Sequence, residues 1–417
     1  MQINSILFLV SLIVFLGYLA EWVFKKKNIP DTLLLIIVGF IIGPNVLEYI
    51  VPESLGPLAP LFTTFTLLFL MFDGALYIDL RTLTESIGSG ISIGFTNFFL
   101  SSIAIGGIFY LLGHDPMIAL MLGFSLGGIS SAYVIPMLKQ LTVDKKIYSI
   151  LTLESAITDV LSIVLAITMI ELKILNTFEI KNVMSQIASL FFVAGFLGIL
   201  AGSLWIFIED KVIERDTNYM MTIAYVVLLY FITEYLGGNG AIAAMTFGIV
   251  IANSKIMNEI AQRIRRTRRK KITAAATADE EPKKKITVVS RRERMFYDEI
   301  SFFLKTFFFV YIGLLLNIKN LKAMALGTGI AVCVMLLRNL TSLLTKKYKT
   351  FDRMLINSLF ARGIAPAAII LMAIEKKLIT DQTIIDTVYF VITATIIFSS
   401  LRVFIYKIKV KKSQAKE

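Results

Sequence analysis

Long apolar runs joined by short polar stretches make up nearly the whole chain. The runs lie at 3–21, 32–50, 58–77, 87–112, 116–138, 147–171, 185–208, 219–236, 240–255, 296–317, 320–345, 353–375 and 382–406. A bilayer-spanning helix needs about 20 mainly apolar residues, so the pattern predicts about thirteen transmembrane helices. Backbone groups in hydrocarbon must be satisfied internally, and at this run length that means helices rather than a barrel.

Composition agrees with the pattern. The chain has 417 residues, 56% of them hydrophobic and 17% charged, with a mean hydropathy of +0.76, which is too apolar for an ordinary soluble protein. The first run has no basic residue before it and no small-residue cleavage site after it, so it is expected to be a retained helix rather than a signal peptide. Cys333 is the only cysteine, which excludes an intramolecular disulfide and a cysteine-based metal site.

Charge adds an orientation. Basic residues collect at Lys25 to Lys27, at Lys139 with Lys145 and Lys146, along 261–294, at Lys346 with Lys347 and Lys349, and in the tail from Lys407. With alternating helices all of these fall on one side, and the positive-inside rule makes that side cytoplasmic, with the N-terminus outside and the C-terminus inside. The 261–294 stretch holds 13 Lys and Arg against four Asp and Glu, so most of the chain's net +12 resides there. It reads either as a topology anchor on anionic lipid headgroups, at about 1 kcal/mol per basic residue, or as a regulatory element.

Two runs carry matched Gly and Pro clusters: the fifth has Leu126-Gly-Gly-Ile-Ser-Ser-Ala-Tyr-Val-Ile-Pro136, and the twelfth has Ala361-Arg-Gly-Ile-Ala-Pro366. Gly and Pro are common in membrane helices. At matching positions of two oppositely oriented halves, however, they point to broken helices around a transport site. The expected fold is therefore all-α, with two inverted six-helix repeats, a linking seventh helix and crossing broken helices.

The candidate chemistry sits in the sixth run, Leu153-Glu-Ser-Ala-Ile-Thr-Asp159. A charge at the bilayer centre costs roughly 2.5–3.5 kcal/mol on insertion scales, so such residues face a cavity or a partner. Ser155 and Asp159 share one helix face, and Glu154 and Thr158 form the adjacent pair. A carboxylate beside hydroxyls is a hard-oxygen environment suited to a small alkali cation. His114, the only histidine, lies in a loop, so proton carriage falls to a carboxylate. Asp159 is the expected exchangeable site for Na+ and H+. Glu154 is expected to be a fixed anion in a structural ion pair with Arg338, with Arg362 grouped in the same cluster and Lys305 as a further intramembrane charge. Asp73, in Leu70-Met-Phe-Asp-Gly74, is a second candidate acid or an interfacial cap, and Asp79 reads as interfacial. Ser130 and Ser131 offer further oxygens, unless they bond their own helix backbone.

These residues together resemble the monovalent cation/proton antiporter superfamily, in particular its NhaP-like sodium/proton antiporters. The resemblance covers Leu70 to Asp79, Ile129 to Leu138, Glu154 to Asp159, Phe302 to Leu316, Arg338 and Arg362-Gly363. It implies a homodimer with scaffold helices at 1–80, 219–255 and 296–317. It implies a moving core at 87–171 and 320–406, a link at 185–208, a basic cytoplasmic linker at 256–295 and a basic tail at 407–417. It also implies that Asp159 binds cation and proton alternately, assisted by Ser155 and Asp73, with Glu154 bridged to Arg338. Where many relatives have Asn before the key aspartate this chain has Thr158, and where they have Thr-Asp-Pro it has Ile129-Ser130-Ser131. A neutral residue at 158 favours electroneutral exchange.

The expected activity is thus Na+ or Li+ exchange for H+ in the plasma membrane, serving pH homeostasis, with no cofactor beyond the transported ions and no nucleic-acid partner. Potassium/proton exchange is the alternative within transport. A cation channel would need a filter or acid rings that the sequence lacks, and an enzyme would need a nucleophile and base, a metal motif or a phosphate loop.

Overall fold

The computed structural model describes residues 3–27, 31–50, 58–76, 80–139, 141, 143–175, 180–211, 219–254, 256, 289–346 and 348–414. Among these residues lie fifteen α-helices and no strand. They are α1 (Ile3–Lys27), α2 (Asp31–Ile42), α3 (Leu58–Ala75), α4 (Leu80–Leu111), α5 (Pro116–Ser125), α6 (Ser131–Lys139), α7 (Lys145–Leu175), α8 (Ile180–Lys211), α9 (Tyr219–Tyr235), α10 (Gly240–Ala252), α11 (Arg291–Leu315), α12 (Leu321–Leu340), α13 (Thr350–Ser358), α14 (Ile364–Glu375) and α15 (Gln382–Gln414). Every apolar run holds helix, and the fifth and twelfth are each split in two. Within the described residues, five helices are long and apolar enough to cross a bilayer by length and composition. The second run is helical only to Ile42, because Pro44 disfavours helical geometry at Gly43.

Helix starts follow local sequence. Asp115 caps α5 by accepting from Met117 N (3.0 Å) and Ile118 N (3.3 Å), with Pro116 in the first turn, where a missing N–H costs nothing. The Asp115 carboxylate also receives Lys173 Nζ at 2.7 Å, and that bond holds its carboxyl below the ordinary range. Asn239 and Asn320 cap α10 and α12 in the same way. Ser290 and Glu293 form a reciprocal capping box at the start of α11.

The helices pack into two compact units: Met1–Leu67, Leu83–Ile187 and Ser301–Glu417 form one, and Leu68–Thr82 with Ala188–Ile300 the other. In the first, an order of long helix, broken helix and long helix occurs twice, as α4, α5–α6, α7 and again as α12, α13–α14, α15. In each half the unbroken third helix lies beside an earlier one, α7 against α5 and α15 against α12. Helix α7 is also flanked by α6 and α14, so it runs beside both broken helices. The second unit has an aromatic core in which Phe72 lies 5.3 Å from Tyr297 and 5.9 Å from Phe247, ring centre to ring centre. Asp73 is buried in this second unit.

Candidate functional site

A broken helix exposes backbone groups that hydrocarbon cannot satisfy, so each break needs polar neighbours. The first break, 126–130, is served by α7, where Thr158 Oγ1 accepts from Ile129 N at 3.0 Å. The second, 359–363, is served by α15: Thr395 Oγ1 accepts from Arg362 N at 3.0 Å, and Ser399 Oγ donates to Ser358 O at 2.6 Å. The breaks also bond to each other, with Ser130 N donating to Ala361 O at 2.9 Å. Two glycines allow this approach. A Cβ on Gly128 would strike Ser162 Oγ and lie 2.6 Å from Thr158 O, and one on Gly363 would collide with the Ser130 side chain.

Asp159 projects from α7 onto the first turn of α6. Its Oδ2 accepts from Ser131 N at 2.8 Å and also from Ser131 Oγ. The carboxylate thereby serves as an N-cap supplied by another helix, at the end where the helix dipole favours negative charge. Asp159 is 6% exposed, and its Oδ1 accepts no hydrogen bond among the described residues. One oxygen is fixed and the other is open to a cation or a proton.

Glu154, one turn earlier, is bound by both ends of a guanidinium. Arg338 Nη2 donates to Oε2 at 2.9 Å and Nη1 donates to Oε1, while Arg338 Nε donates to Ile356 O at 3.0 Å. Both residues are buried, and this bidentate geometry is the strongest arrangement for the pair. Arg362, grouped with this pair on sequence grounds, bonds differently: its Nη1 donates to Gly128 O, across to the other break. Lys305 pairs with Asp31 at the start of α2, at 2.6 Å.

Glu154, Ser155, Thr158, Asp159, Ser130, Ser131, Arg338 and Arg362 therefore gather around the two breaks. The hydroxyls differ in availability. Ser155 Oγ donates to Thr152 O, and Thr158 Oγ1 is shared between Ile129 N and Ser155 O, so both are engaged with the backbone. Asp73 belongs to the second unit. Asp79 and residues 261–288 of the basic stretch lie outside the described residues. Sequence reasoning missed Asp31, Thr395 and Ser399. It also missed Asp386, a fully buried carboxylate of α15 that accepts from the side-chain amides of Asn320 (2.8 Å), Gln382 (2.9 Å) and Asn317 (3.2 Å). For Asp386 the signal was present, since it is an acid inside an apolar run.

A family model described as sodium/hydrogen exchanger, transmembrane, matches residues 11–407. The chain is 24% identical over 389 residues to the Na(+)/H(+) antiporter ApNhaP of Aphanothece halophytica, covering 90% of this chain and 68% of that protein. It is 23% identical over 336 residues to the probable Na(+)/H(+) antiporter 2 of Methanocaldococcus jannaschii, covering 76% and 72%. The structure of the sodium proton antiporter MjNhaP1 from Methanocaldococcus jannaschii at pH 8 superposes with a TM-score of 0.76 at 20% identity, over 96% of both chains. At that identity the likeness speaks to the fold, which is the fold expected from the runs and their interruptions.

Proposed function

The chain belongs to the sodium/hydrogen exchanger family, and from that premise we propose that it exchanges Na+ or Li+ for H+, one for one, at Asp159. It is a multi-pass membrane transporter, not an enzyme, and its transported substrates are monovalent cations and protons. The observation that carries the reading is the buried Asp159 carboxylate, with one oxygen tied to Ser131 and the other open, on the helix that packs beside both breaks. Either a cation or a proton neutralises such a group. The two compete for a single negative charge, so binding of one displaces the other.

The charge count around the site supports electroneutral exchange. Glu154 is matched by Arg338, and Lys305 is matched by Asp31, so neither pair changes charge as the occupant of Asp159 changes. Alternating access is the transport mode we assign: the two broken helices and α7 move together and expose Asp159 to each side in turn. Ser130 and carbonyls of the breaks add oxygens to the cation, and Asp73 is a second acid assigned to transport. The protein works as a homodimer in the plasma membrane with its basic face cytoplasmic, with anionic lipid as the partner of its basic sequence, and it needs no cofactor.

The test is exchange by the purified chain in proteoliposomes, driven by Na+, Li+ or K+, with the membrane potential free and then clamped. Proton flux driven by Na+ and Li+ and unchanged by clamping is expected. Acceleration by clamping would show net charge movement and overturn the one-for-one reading. Flux driven by K+ in preference to Na+ would overturn the ion assignment.

A further inference from the structure

Arg362 carries the one guanidinium of the site whose hydrogen-bonding capacity is mostly unused. It is fully buried, its Nη1 donates to Gly128 O, and its Nε and Nη2 have no partner among the described residues. A buried guanidinium with two idle edges is expensive, because desolvating a charge without compensation costs several kcal/mol. Burial here is offset by a charge, and the breaks bring Asp159 close: Arg362 Nη1 reaches Gly128 O, the adjacent Ala361 O accepts from Ser130 N at 2.9 Å, and Asp159 holds the next residue, Ser131, by its N at 2.8 Å, with Arg338 and Glu154 the other charges that act on Arg362. Arg338 is of like sign. Glu154 is saturated, with both of its oxygens held by Arg338. Asp159 is the acid left over, and one of its oxygens is free.

We propose that Arg362 is the resident counter-cation of Asp159: its charge balances the ionised carboxylate when neither Na+ nor H+ is bound, and it opposes any cation that enters. The proposal rests on the reading of Asp159 as the exchange site and adds what sets its affinity. The site holds two acids and two bases, so with Asp159 ionised the four charges sum to zero. An entering Na+ makes the sum positive, and Arg362 then repels the ion that Asp159 attracts. Such a residue prevents a buried anion from holding its cation too tightly to release. The tie from Nη1 to Gly128 O anchors Arg362 to the opposite break, so its charge stays with the site. Its distance from the ion is fixed by backbone, not by a flexible side-chain partner. Arg362 is a positioning residue in this account, since it acts on the ion through its charge and touches main chain only.

The first arm measures sodium affinity in proteoliposomes, at a pH alkaline enough that protons no longer compete for the site. One unit charge several ångströms away in a partly polarisable interior shifts affinity by roughly tenfold or more. Arg362→Gln and Arg362→Met should each lower the sodium KM by about that factor, with kcat falling because release becomes slow, and Arg362→Lys should recover most of the difference. A KM unchanged or raised in both neutral variants, with Lys behaving like Gln, would overturn the proposal.

The second arm needs no transport. Thermal unfolding of the full chain in detergent is compared for the unmodified protein, Asp159→Asn, Arg362→Gln and the double variant. Each single change strands the other charge, so the double variant should lose clearly less stability than the sum of the singles. Additive losses would overturn the proposal even if a single variant accumulates too poorly for flux. The two readings fail separately. Exchange that survives Asp159→Asn removes Asp159 as the site, whereas an additive cycle or an unmoved KM removes Arg362 and leaves Asp159 in place.

Discussion

Glu154 and Arg338 show what a single buried charge demands. Removing one partner of a buried pair strands the other and costs about 3–5 kcal/mol, whereas removing both is far milder. Arg338→Gln should therefore lower the thermal unfolding midpoint sharply, and Arg338→Gln with Glu154→Gln should regain much of the loss; an equal or deeper loss in the double variant contradicts this. Thr158 makes a smaller but similar demand. Thr158→Val keeps the shape and leaves Ile129 N without its acceptor, which should cost about 1–3 kcal/mol in the same assay. Much of this was legible in the sequence, because an acid in an apolar run needs a cation and Arg338 was available. Asp31 was not legible as the partner of Lys305, since the apolar run begins one residue after it and the acid reads as part of a loop. Nor was the Arg362 bond, because its acceptor is a main-chain carbonyl and a sequence carries no sign of where a carbonyl points.

At the scale of elements, both interruptions were visible as Gly and Pro clusters, but their limits were not. Pro136 lies inside α6, and Pro366 lies in the first turn of α14, where the missing N–H has no intrahelical acceptor to lose. Close approach of backbones is what sets the breaks, and that depends on α7 and on the opposite break, neither of which is local in sequence. Gly128→Ala should thus force α6 and α7 apart, costing about 1–3 kcal/mol and most of the transport rate, as read by unfolding and by proton flux. Helix caps give a pH-dependent prediction. The folded-state value of Asp115 is depressed below 3.8, so its ionised form stabilises the fold at neutral pH. That stability is lost as pH falls through the folded value. Asp115→Asn keeps the cap and removes the charge, and because Asp115 is 37% exposed the effect is small. The variant should unfold at a slightly lower temperature than the unmodified chain at pH 7, and the gap should shrink at pH 3.

For the whole molecule, the order of apolar runs and their two interruptions were enough to anticipate the architecture. The division into scaffold and core came from the resemblance rather than from the runs, because the apolar pattern does not record which helices touch. The basic 261–294 stretch and the run-to-run charge asymmetry speak to orientation rather than to mechanism. Mechanism rests on one carboxylate held by one serine, with Glu154 matched by Arg338 beside it. The most direct measurement is therefore sodium-driven proton release from proteoliposomes containing Asp159→Asn, with the amount of reconstituted protein matched to the unmodified chain. The account predicts no release above empty vesicles. Release at a rate comparable to the unmodified chain would contradict it.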